Sequence, residues 1–317
     1  MPAFTALAFP GQGAQKVGMG VDFAAASEAA QAVFEAASRA LGYDLLVLCA
    51  NGPASALVPT DVQQPAILTV SAAAVEAMRT SNRLPPGAVG GAFGLSLGEF
   101  TALWAAGSLS LKDALVLVRE RGLGMQEASA AVPSGMSALR CEEAVAEEAC
   151  AKARAQTGGV CVVANLNAPG QVVISGDLPT LAAAEEAAKP LGVRRAIRLE
   201  VAGAFHSPLM APGARRLEAA LSTVEVRRPA FPVWSNVTGA ATDDPAEIRR
   251  NLVAQVTSPV RFLACVMAAR AAGMARTIEP APGVVLSGLI SRIDPAIETV
   301  SVPDADTLAS MAAWSAP

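Results

Sequence analysis

Residues 94–98 read Gly-Leu-Ser-Leu-Gly and set Ser96 in the G-x-S-x-G spacing of a nucleophile elbow. Small flanking residues let the chain turn sharply from a strand into a helix and leave the serine Oγ exposed at the apex. The N–H of Leu97, at the start of that helix, is then placed to donate to an oxyanion. Taken alone, the pattern also describes an ordinary turn serine in an Ala- and Gly-rich chain. It gains meaning from a base, and the chain has one histidine, His206, within Gly-Ala-Phe-His-Ser-Pro-Leu-Met. A serine nucleophile usually draws its base from histidine, so Ser96 and His206 form a candidate dyad. The alternative is a lone histidine satisfied in the core or at the surface. Serine precedes histidine by a long interval, and a long stretch of chain follows the histidine. That order disfavours an ordinary α/β-hydrolase, where an acid intervenes and the histidine comes late.

A charged anchor is the third candidate. On a helical wheel of residues 111–128, Leu111, Ala114, Leu115, Val118, Gly122 and Met125 share one face. Arg121 falls about 60° from the centre of that face, whereas Arg119 lies toward the polar side with Lys112, Glu120 and Glu127. An arginine turned inward requires a partner, because an unpaired buried charge is costly. That partner is either a protein carboxylate or the carboxylate of a substrate gripped in bidentate fashion. Near the N-terminus, Phe-Pro-Gly-Gln-Gly-Ala-Gln imitates a dinucleotide fingerprint but fails it, since the third glycine would fall on Lys16. A backbone N–H of Gln12 facing Ser96 from a neighbouring strand end is the better reading, with a plain Gly-rich turn as its rival.

Composition narrows the classes. A net charge of −4 lacks the basic excess of a nucleic-acid binder, so an anionic substrate must meet a local cluster of Arg or Lys. The five cysteines (Cys49, Cys141, Cys150, Cys161, Cys265) show no CxxC spacing, and with a single histidine no metal site is expected. They read as buried thiols of a reducing compartment. No basic-plus-apolar leader opens the chain and no apolar run of about 18 residues is present to span a bilayer. The expected location is cytoplasmic; a transit peptide already removed would leave no trace, so a plastid or other organelle stays open.

The elements that must position these residues follow from periodicity. Short apolar runs at 3–9 and 88–93 read as strands and 97–106 as a helix, so Ser96 sits in a strand–turn–helix. Helical patterns cover 24–41 and 65–80, and a further apolar run occupies 231–236. The middle reads strand 135–140, helix 142–155, strands 159–166 and 171–175, helix 179–191, strand 193–201. That βαββαβ order is the ferredoxin-like unit. The expected organisation is a large α/β catalytic domain made of residues 1–129 and 204–317, with a small ferredoxin-like domain, 130–203, inserted between them.

Together these segments resemble the malonyl-CoA:acyl carrier protein transacylase family of type II fatty acid synthesis. The resemblance runs through FPGQGAQ at 9–15, QQPAI at 63–67, GLSLGEFTAL at 94–103 and RERGLGMQEA at 119–128. It continues through NLNAPGQVVISG at 165–176, GAFHSPLM at 203–210, SNVTG at 235–239 and QVTSPVRF at 255–262. It implies a hydrolase-like core with a mostly parallel sheet plus a ferredoxin-like insert. It also implies Ser96 as nucleophile, His206 as base, backbone N–H groups of Gln12 and Leu97 as the oxyanion hole, and Arg121 as the grip on the malonyl carboxylate. The family orients its histidine with a backbone carbonyl, here that of Gln255. Phe205 matches the bulky ring of malonyl-selective relatives, which leaves little room for an α-methyl branch. Two positions depart from the common pattern. Leu95 stands where many members have histidine, although a subset including cyanobacterial and plastid-type enzymes is similar in having GLSLGE. Val284 stands where GPGKVL would place lysine.

The function so implied is transfer of malonyl from malonyl-CoA to the pantetheine thiol of holo acyl carrier protein, by a ping-pong route through a malonyl-serine ester. No cofactor is expected; the partner carries 4'-phosphopantetheine. A discrete acyltransferase of a polyketide synthase, a serine thioesterase or hydrolase using the same dyad, and a carrier-binding subunit without turnover are the alternatives. Lys189, Arg194, Arg195, Arg215 and Arg216 are candidate contacts for an acidic carrier, each weighed against an ordinary solvated charge, and a monomer is the default expectation.

Overall fold

The computed structural model describes residues 3–312 and 315–317. Among these, ten strands form two sheets: β1 (Phe4–Phe9), β2 (Val89–Gly94), β3 (Ser134–Leu139), β4 (Cys161–Ala168), β5 (Gln171–Asp177), β6 (Ala196–Arg198), β7 (Val233–Trp234), β8 (Ala241–Thr242), β9 (Met274–Pro280) and β10 (Glu298–Val302). β1 is buried from Thr5 to Phe9 because it lies between β2 and β9 and is covered on both faces. A strand in that position reads as a near-continuous apolar run instead of alternating, and here only Thr5 interrupts it. The sheet order is β10-β9-β1-β2-β7-β8, parallel throughout except at the β7–β8 edge.

Phe9 pairs with Gly94, so β1 and β2 end side by side and their two following loops leave the sheet together. In open parallel sheets, ligands bind beyond the carboxyl ends of the strands. The loop carrying Gln12 and the turn carrying Ser96 occupy that place.

The second sheet has the order β4-β5-β3-β6 and is antiparallel. With the helices Glu143–Thr157 and Leu178–Ala188 it forms a βαββαβ unit around its own apolar cluster, which includes Leu139, Ala149, Ile174 and Leu181. Only Ala196–Arg198 of residues 193–201 pairs as a strand. The unit is tied to the rest of the chain by Val260, whose N–H donates to Ala164 O (2.8 Å) and whose carbonyl accepts from Leu166 N (2.9 Å).

Two helices depart from the sequence expectation. Residues 24–41 are not one helix: Val21–Ala26 ends at Ser27, which has extended backbone, and Glu28–Leu41 begins there. The Ser27 hydroxyl accepts from Ala30 N, so the serine caps a new helix in preference to continuing the old one. Conversely, the helix expected from residue 65 starts at Thr60 and runs to Thr80 with Pro65 inside. Proline removes one helical hydrogen bond, but this helix is buried over almost all of its length. Tertiary packing outweighs the local penalty, and the extra turn carries Gln63 and Gln64 to the site. Among the described residues no helix is long and apolar enough to cross a membrane.

Candidate active site

The elbow is enforced by close packing. A Cβ on Gly94 would lie 2.1 Å from the backbone of Gly98, and one on Gly98 would lie 2.1 Å from Phe9 O. Both positions therefore admit only glycine. Ser96 between them has φ +54°, the left-handed region that non-glycine residues avoid. Three contacts hold it there: Ser96 N donates to Asn236 Oδ1 (2.7 Å), Gln255 Nε2 donates to Ser96 O (2.9 Å), and Asn236 Nδ2 donates to Gly94 O (2.8 Å).

The structure brings the solitary histidine to this serine. Ser96 Oγ and His206 Nε2 are 2.8 Å apart, and His206 Nδ1 is 2.8 Å from Gln255 O. A carbonyl only accepts, so Nδ1 carries the proton of the neutral ring and Nε2 presents its lone pair to the serine hydroxyl. His206 also has positive φ, +59°.

Arg121, on the helix Leu111–Ala131, is fully buried. Nη2 donates to Ser96 Oγ (2.8 Å) and Gln255 Oε1 (3.0 Å), and Nη1 donates to Gln64 Oε1 (2.8 Å). Its Nε–H has no acceptor among the described residues. Of the two partners left open by the sequence, a protein carboxylate is absent: no described residue forms an ion pair with Arg121. The Phe100 ring lies beneath the guanidinium, 5.7 Å from its carbon. Arg119 is on the more polar side, as its wheel position implies, and donates to Leu41 O.

Gln12, Leu95, Ser96, Met136, Asn165, Asn167, Phe205 and His206 line a cleft of ≈ 150 Å³ between the two sheets' units. Gly11 packs so closely on the elbow that a Cβ there would lie 2.6 Å from Leu95 O, which brings Gln12 beside Ser96. Among the described residues neither Gln12 N nor Leu97 N donates to a protein acceptor. Asn167 Oδ1, in the cleft wall, likewise lacks a partner.

Residues 7–305 match the family model described as Acyl transferase domain. A malonyl CoA-acyl carrier protein transacylase of Bacillus subtilis (strain 168) is 40% identical over 303 residues, covering 96% of this chain and 94% of the relative. The chain belongs to the malonyl CoA-acyl carrier protein transacylase family. An Escherichia coli (strain K12) transacylase of that name is 38% identical over 310 residues, 97% of each chain. Among solved structures, an acyl carrier protein S-malonyltransferase from Vibrio cholerae aligns with a TM-score of 0.92 at 38% identity, covering 97% of this chain and 99% of that one. A malonyl-transacylase solved in complex with a type II polyketide synthase acyl-carrier protein aligns with a TM-score of 0.91 at 35% identity, covering 97% and 98%.

The electrostatics of this transacylase site follow from burial. Desolvation, and after it the positive charge of Arg121, pull His206 down to a pKa of about 3, against smaller opposing effects of the Gln255 and Ser258 backbone. The ring is neutral at physiological pH and free to accept a proton. Burial also lowers Arg121 to about 10, where it is still cationic at neutral pH. Glu99, buried nearby, is pushed up by desolvation while hydrogen bonds from Gln255, Asn236 and Ser235 and the charge of Arg121 pull the other way.

Sequence reasoning missed Gln64, Glu99 and Asn236 as parts of the site, although all three lie in segments that carry the resemblance. Each is polar and buried, a combination that burial alone reveals. Of the candidate carrier contacts, Arg216 is ion-paired with Glu120 and Glu127 at 2.6 and 2.7 Å, and Lys189 with Glu186 at 2.7 Å. Leu95 lines the cleft, and Val284 is 56% exposed and not part of its lining.

Proposed function

We propose that this chain moves a malonyl group from malonyl-CoA to the pantetheine thiol of an acyl carrier protein through an ester on Ser96. The observation that carries the reading is the convergence of His206 Nε2 and Arg121 Nη2 on one oxygen, Ser96 Oγ, at 2.8 Å each. His206 Nε2 takes the Oγ proton as Oγ attacks the thioester carbon. The N–H groups of Gln12 and Leu97 stabilise the oxyanion, a contribution of about 3 kcal/mol per donor in comparable sites. The Nε2 proton then goes to the departing CoA sulfur. In the second half-reaction His206 accepts the proton of the pantetheine thiol, the thiolate attacks the ester, and the serine recovers its proton.

Arg121 sets the choice of acyl group. The carboxylate of a malonyl-serine lies one methylene beyond the ester carbon, within reach of a guanidinium that already touches Oγ. An acetyl group would leave that buried charge without an anionic partner, which is the strongest form of discrimination a pocket offers. The Phe205 ring closes the cleft against an α-methyl branch. Asn167 Oδ1 offers an acceptor to an amide N–H of the pantetheine arm. The protein uses no cofactor of its own in this scheme, since the carrier brings the 4'-phosphopantetheine, and a cytoplasmic location suits its five free cysteines.

Hydrolysis of the same ester is the rival outcome. The deciding experiment is intact-mass analysis after malonyl-CoA, followed by holo carrier protein. Transfer to the carrier supports the proposal, and release of free malonate in the presence of carrier refutes it. Parallel assays with fatty acid and polyketide carriers assign the pathway.

A further inference from the structure

Arg121 is wholly buried, yet its acceptors, Gln64 Oε1, Gln255 Oε1 and Ser96 Oγ, are all neutral. A buried acid lies one residue further out. Glu99, 3% exposed, accepts through Oε2 from Gln255 Nε2 and from Asn236 N (3.1 Å). Gln255 therefore gives the NH2 end of its carboxamide to Glu99 and the oxygen end to Arg121, while its main-chain carbonyl receives His206 Nδ1–H.

The orientation of that carboxamide is over-determined. A guanidinium only donates, and Glu99 Oε2 accepts from Gln255 Nε2 and Asn236 N together, so turning the amide over would set donor against donor and acceptor against acceptor. We propose that Glu99 is a positioning residue for acyl-group selection. Through the Gln255 side chain it fixes the acceptor that aims Arg121. A carboxylate in direct contact would neutralise the guanidinium and compete with the substrate's own. An amide standing between the acid and the guanidinium gives the cation a neutral acceptor in the interior and leaves it open to an incoming anion. The inference rests on Arg121 as the malonyl grip and deepens it.

The test is the ratio of kcat/KM for malonyl-CoA to that for acetyl-CoA. In Glu99→Leu, Gln255 Nε2 loses this acceptor and the carboxamide is no longer fixed with its oxygen on Arg121. The ratio is expected to fall at least tenfold, chiefly through a raised KM for malonyl-CoA. In Glu99→Gln, the amide oxygen takes the place of Oε2 and accepts from both Gln255 Nε2 and Asn236 N, so the ratio should return to that of the wild type. If Glu99→Leu does not fold, Glu99→Ala makes the same comparison. Equal losses for both substrates, or a ratio in Glu99→Gln as low as in the variant that lacks the acceptor, would overturn the inference. Arg121→Ala separates the two levels. If it retains malonyl preference, the grip itself is wrong; if it loses preference while Glu99→Leu does not, only the role of Glu99 fails.

Discussion

Ser96 and His206 both adopt left-handed backbone, at φ +54° and +59°, and their side chains meet with Oγ and Nε2 2.8 Å apart. Such conformations cost on the order of 1–3 kcal/mol each and persist where the surroundings over-determine them. Here the surroundings are Asn236 and Gln255 at the serine, and the Gln255 carbonyl at the histidine. Stability is given up at both halves of the dyad to aim one proton transfer.

Replacing Ser96 by Ala should abolish the malonyl adduct seen by intact mass after exposure to malonyl-CoA, with the fold unchanged by circular dichroism. An adduct of full occupancy on the variant would show that the nucleophile lies elsewhere.

Arg121→Ala should lower the kcat/KM ratio of malonyl-CoA over acetyl-CoA by about 10² or more, the scale on which a site built for a polar partner discriminates. Competition between the two thioesters, read as masses on the carrier protein, measures it directly.

Protonation of His206 supplies a separate check. Burial and the charge of Arg121 depress its pKa to about 3 from an ordinary 6.5. The acid limb of kcat/KM should therefore lie well below neutrality, and it should move upward in Arg121→Ala because one of the depressing charges is gone. Stability has a definite sign. As pH falls through 6.5 the unfolded chain takes up the proton, while the folded ring resists until about pH 3. The contribution is full above 6.5 and is lost progressively below it. Urea midpoints at neutral and mildly acidic pH should fall less steeply for His206→Gln than for the wild type.

Phe205→Ala should open the cleft beside Ser96 and raise the use of methylmalonyl-CoA relative to malonyl-CoA. One methyl group in an apolar pocket is worth about 1–3 kcal/mol, so a shift of roughly tenfold or more is expected. The ratio of the two acyl-carrier products reports it, and an unchanged ratio would remove Phe205 from the selection.

Gly98→Ala tests the packing of the elbow. Its Cβ would sit 2.1 Å from Phe9 O, a backbone atom that cannot move without disturbing β1. The expected loss is about 1–3 kcal/mol in denaturant unfolding, together with loss of acylation as Ser96 is displaced.

The sequence by itself determined the identities of the reacting groups. A chain with one histidine leaves no choice of imidazole, and the glycines around Ser96 mark a turn that only small residues permit. Arg121 was legible because a helical wheel sets it near an apolar face, and β1 because a strand covered on both sides reads as a near-continuous apolar run. These are local signals, carried by residue type and spacing. What acts on those groups was decided by the tertiary structure. The helix from Thr60 overrides Pro65 and delivers Gln64 to Arg121, while Asn236, Glu99 and Gln255 converge from a loop and two helices far apart in the chain. Hydrogen-bond partners of buried polar groups depend on which segments the core brings together. Arg121 could therefore be read as an inward charge needing a partner, but that its partners would be two neutral amides and the Ser96 hydroxyl was settled only by the packing.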